Sequence, residues 1–95
     1  MTVGIIHELA RNTSNIGWST HALERMAERD ITDRVAVDVL RTGSLQGRIE
    51  PGSNPGEWKV EMVKEVKGQR KVGIVVITIR NARLFVKTTE WEDLR

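Results

Sequence analysis

His21, Arg25, Glu28 and Arg29 are the residues whose types and spacing could do chemistry. At about 100° per residue they fall within roughly a quarter of a helix circumference. Such a helix carries one imidazole and two guanidiniums on one side. Paired guanidinium forks suit a phosphate, which they can grip through charge-assisted, bidentate hydrogen bonds. A neutral imidazole beside them can take or return a proton. Charge runs on helices are usually just solvated faces, but the pairing here is poor for that purpose. Glu24 with Glu28 and Arg25 with Arg29 are like charges four residues apart. Each such pair costs about 0.2–0.5 kcal/mol, and only Arg25 with Glu28 offsets this.

A second set of cations lies later in the chain: Lys71, Arg80, Arg83 and Lys87, with Thr88 adjoining. They could form a basic ridge along a sheet edge, or could simply protect that edge by charge. Other chemistries find less support. The other histidine, His7, has no His-x-x-x-His partner, and cysteine is absent, so no zinc spacing is present. There is no glycine-rich phosphate loop and no Gly-x-Ser-x-Gly elbow. Trp18, Trp58 and Trp91 are the only tryptophans and tyrosine is absent, which argues against an aromatic stacking platform of the RNA-recognition-motif kind.

The 95 residues suffice for one domain, and without cysteine its stability rests on packing in a reducing compartment. The start of the chain has no signal-like pattern and no segment has a membrane span's length of apolar residues, so a cytoplasmic location is expected. Fifteen basic against thirteen acidic residues leave a net charge of +2, too little for a strong non-specific grip on a polyanion. The basic excess lies after Pro51, with nine Lys/Arg against six acidic residues.

The elements that must position these residues follow from periodicity. Ile5, Ile6, Leu9 and Ala10 recur at helical spacing before Asn12–Asn15 break the pattern. Ser19 or Thr20 caps the helix bearing His21, whose apolar face is Ala22, Leu23, Met26 and Ala27, with Asp30 at its exit. Thr32 caps another helix, with Val35, Ala36, Val39 and Leu40 inward and Gly43 at the stop. Strands are expected near Leu45–Glu50, from Trp58 to Val66 with Lys64 out of pattern, from Val72 to Ile79, and from Leu84 to Thr89, where Leu84, Val86 and Thr88 share one face. The fold class is α+β: two or three N-terminal helices on one face of a four-stranded, mainly antiparallel sheet. Residues 1–95 make one domain, with 1–17 as an extension, helices over 18–43 and the sheet over 44–91.

The stretch from Trp18 to Thr32, with His21-Ala22, Arg25-Met26, Arg29 and Ile31 in a His-Ala-x-x-Arg-Met-x-x-Arg-x-Ile pattern, resembles a bacterial domain-of-unknown-function family. The resemblance extends through Thr42-Gly43, Val72–Ile79 and Leu84–Thr88, so it covers roughly Trp18 to Thr89. That family is grouped with the barnase/RelE-like fold, which hosts small toxin ribonucleases. The resemblance implies metal-independent RNA cleavage by attack of the 2′-hydroxyl, without a cofactor. His21, Arg25 and Arg29 would then be catalytic, and Arg80, Arg83, Lys87 and Thr88 would bind substrate. RNA or the ribosome and an antitoxin protein are the implied partners. The competing reading is a non-catalytic RNA- or protein-binding module on the same fold.

Overall fold

The computed structural model describes residues 3–66, 70–79 and 83–91. Three helices, α1 (Val3–Ala10), α2 (Thr20–Arg29) and α3 (Asp33–Thr42), accompany five strands: β1 (Ile16–Trp18), β2 (Ser44–Pro51), β3 (Trp58–Val66), β4 (Arg70–Ile79) and β5 (Arg83–Trp91). The α+β class stands. The sheet has five strands, one more than expected, in the order β1-β5-β4-β3-β2. The fifth is β1, three residues that pair parallel to β5, with Ile16 opposite Leu84 and Trp18 opposite Val86. So short a strand has no readable alternation of its own, and its long-range pairing is what defines it.

The helix ends follow local chemistry. The Ser19 hydroxyl accepts from the Ala22 amide at 2.9 Å, and Thr32 accepts from Val35 at 3.2 Å, capping α2 and α3. Asp30 closes α2 in a left-handed conformation, φ 59° and ψ 38°, while the Ile31 amide reaches back to the Met26 carbonyl at 2.9 Å. Gly43 ends α3 for a different reason. Its backbone is extended rather than left-handed, but a Cβ would collide with the carbonyl oxygens of Val39 and, at 2.8 Å, Val63. Glycine is needed there for close approach of backbone to backbone.

Residues 3–17 are not an appendage. Ile6 and Ala10 are fully buried, and Ile16 nearly so. His7 donates from Nε2 to the Gly43 carbonyl at 2.7 Å, and Arg41 donates to the carbonyls of Ala10 at 2.9 Å and Arg11 at 3.2 Å. These last two bonds satisfy carbonyls that the end of α1 leaves open.

The core lies between the helices and one face of the sheet, where Val60, Met62, Leu84 and Val86 meet Ile6, Met26, Val39 and Leu40. Lys64 is in phase with that face and reaches α3, donating to Asp38 at 2.6 Å and Thr42 at 2.7 Å. Its charge is therefore accommodated at the core's rim, and the alternation of β3 continues through it.

Along β5 the expected parity fails. Val75 pairs with Thr88 while Val76 pairs with Val86, so Lys87 is the extra residue of a β-bulge. Beyond it the inward position passes to Thr89, which is fully buried, and Thr88 is only half-buried. Among the described residues the Thr89 hydroxyl has no hydrogen-bond partner; the strand register sets position 89 opposite position 74, and position 74 opposite Met62. No helix among the described residues is long and apolar enough to cross a membrane.

An unpaired buried hydroxyl is destabilising, and valine has nearly the same shape. Thr89→Val is therefore expected to raise stability by about 1 kcal/mol in urea unfolding. A lowered midpoint would mean that the hydroxyl has a bonding role in solution.

Candidate functional site

Helix α2 packs along β5. Its register is set at Ser19, whose amide donates to the Val86 carbonyl at 3.0 Å and whose hydroxyl donates to the Lys87 carbonyl at 2.8 Å. The same hydroxyl oxygen caps the helix. The start of α2 is thereby clamped to the bulge in β5, two residues before His21. His21 is exposed at this junction, close in sequence to the clamp that holds the backbone of Lys87, with Thr88 next along the strand.

The helix is rolled relative to the expected face. Ala22 and Met26 are buried, but Leu23 is 52% exposed and Ala27 is exposed as well. Arg25 and Arg29 are instead half-buried. The buried arc is thus shifted toward the arginines, a position that long side chains tolerate because their aliphatic stems can be covered while the charged head stays in water. Hydrophobicity alone would have turned Leu23 inward; the clamp at Ser19 and the short β1 fix the rotation. His21 to Arg29 spans about 12 Å along the axis, with Arg25 midway. Arg29 has an interaction partner within the protein.

Among the sequence-derived candidates, α2 carries His21, Arg25 and Arg29 on one stripe, and β5 carries Arg83, Lys87 and Thr88. Arg83 and Lys87 are exposed at opposite ends of the stretch, and only Lys87 and Thr88 lie at the α2 junction. Arg80 lies outside the described residues. His7 is engaged with Gly43 on the α1–α3 side, so it does not join His21. Among the described residues, surface grooves lie elsewhere, of about 340 Å³ beside Thr13, Asp33 and Arg41 and of about 290 Å³ across Gln46, Arg48 and Lys59. Among the described residues no three His, Cys, Asp or Glu side chains converge as a metal site.

Ser19 is the residue whose importance was missed. Its capping role is visible in the sequence, but its bonds to β5 join positions 68 residues apart and leave no local signal.

Residues 18–91 match the family model described as a domain of unknown function, DUF4258. No curated protein and no solved structure matches the chain.

The two roles of Ser19 can be separated. Ser19→Ala loses both cap and clamp and should destabilise the fold by about 1–2 kcal/mol. Ser19→Asp can still accept from Ala22 but has no proton for the Lys87 carbonyl, so it should recover only part of that loss. Full recovery by aspartate in urea unfolding would show that the clamp adds nothing beyond the cap.

Proposed function

The chain belongs to the DUF4258 family, whose model spans residues 18–91, and from the stripe on α2 we propose that it is a small toxin-like, metal-independent endoribonuclease with a barnase/RelE-like architecture. The observation that carries this reading is the clamped junction, with His21 exposed where α2 meets the bulge at Lys87 and Thr88. β-Bulges are over-represented beside active sites because they re-aim side chains.

In the proposed reaction, the 2′-hydroxyl of one nucleotide attacks the adjoining phosphorus. An unprotonated ring nitrogen of His21 takes the hydroxyl proton as the new O–P bond forms. The bond from phosphorus to the 5′-oxygen breaks, and that oxygen takes a proton from water. The products are a 2′,3′-cyclic phosphate and a 5′-hydroxyl. Arg25 balances charge on the phosphate, assisted by Arg29. An antitoxin that restrains this activity, and a ribosome or free RNA as target, fit the same reading.

Induction in bacteria tests it. The wild type should slow growth and fragment RNA, and His21→Ala should lower the cleavage rate about 10²- to 10⁴-fold. Arg25→Gln should lower it about ten- to a hundredfold, the worth of a hydrogen bond to a charged group. Intact RNA and normal growth with the wild type would retire the enzyme and leave the non-catalytic binding module.

A further inference from the structure

The sheet face turned away from the helices carries a second pattern. Leu84 and Val86 point into the core, so strand alternation puts Arg83, Phe85 and Lys87 on the opposite face. Arg83 and Lys87 are exposed there and Phe85 is half-buried. At two residues per step, the ring sits midway between two cations about 13 Å apart. On its β1 side the paired residue is Gly17, and a Cβ at that position would lie 3.3 Å from Phe85 Cδ1. The ring therefore leans over a position with no side chain to cover it. The three helices all pack into the core on the other face, so no described helix lies across this strip.

We infer that Arg83, Phe85 and Lys87 form a track for single-stranded RNA, with a base stacked on Phe85 and the flanking phosphates on Arg83 and Lys87. The charge pattern selects the occupant. An aromatic ring between two cations complements a base between two phosphates, and only an unpaired strand offers the face of its base. The choice of RNA rests on the ribonuclease reading, but binding to the track needs no cleavage. The track also accounts for Arg83, which lies at the far end of the strip from the α2 junction and which the cleavage step leaves unused.

The test is fluorescence anisotropy of the full chain with a labelled 2′-O-methyl oligouridylate, in which no 2′-hydroxyl is free to attack. Phe85→Leu keeps an apolar side chain beside Gly17 and lacks the aromatic face, so it should fold like the wild type. It should bind roughly tenfold more weakly, as should Phe85→Ala, while Phe85→Tyr should stay within about twofold. Removing both charges with Arg83→Gln and Lys87→Gln should reduce the slope of log K against log salt by about 1.4. Wild-type affinity in Phe85→Leu, or no binding by the wild type, overturns the track. Cleavage of unmodified RNA, followed in parallel, separates the two ideas. Phe85-dependent binding without cleavage removes the enzyme and keeps the track, whereas cleavage with an unchanged KM in Phe85→Leu removes the track and keeps the enzyme.

Discussion

Three hydrogen bonds at Ser19 decide where α2 sits. One is the helix cap, and the other two tie the same residue to successive carbonyls of β5. A helix packed only by its apolar side chains could roll by tens of degrees at little expense, since Leu23 and Ala27 offer an alternative face to Ala22 and Met26. With Ser19 bonded on both sides of its oxygen, that freedom is removed at the first turn. The exposure of Leu23 and the half-burial of Arg25 and Arg29 follow from it, as does the placement of His21 beside the bulge.

Gly43 plays the corresponding role at the other end of the helical layer. Its missing Cβ lets the end of α3 approach β3 until backbone meets backbone, and its carbonyl receives the His7 side chain. Arg41, one turn of helix away from Val37, meanwhile holds the carbonyls at the end of α1. The first helix is thus held by polar bonds as well as by the burial of Ile6 and Ala10. This explains how a segment outside the family match contributes to the same core as residues within it.

What could be read from the sequence was whatever depends on neighbours a few residues apart. The caps at Ser19 and Thr32, the face of α3 and the alternation of β3 are of this kind, and all appear in the fold. What could not be read depends on partners distant in sequence. β1 is a strand only because β5 lies beside it, and Thr89 faces inward only because Lys87 bulges out. Lys64 broke the apolar pattern because its partners, Asp38 and Thr42, are on another element. The candidate site divides the same way: the stripe of His21, Arg25 and Arg29 was visible on a helical wheel, while its junction with Lys87 and Thr88 was not.

The pairing of β1 with β5 also fixes an order of events. Residues 16–18 find their partner only among residues 84–86, so nearly the whole of the intervening chain must exist before that edge can close. Contacts of such long sequence separation are slow to form and come late. On a translating ribosome, helix α2 can form early from its own cap, but its anchor on Val86 and Lys87 does not exist until the final strand has emerged. The junction is therefore assembled last, and a nascent or truncated chain lacking β5 would carry the histidine and both arginines on a helix whose rotation nothing yet fixes.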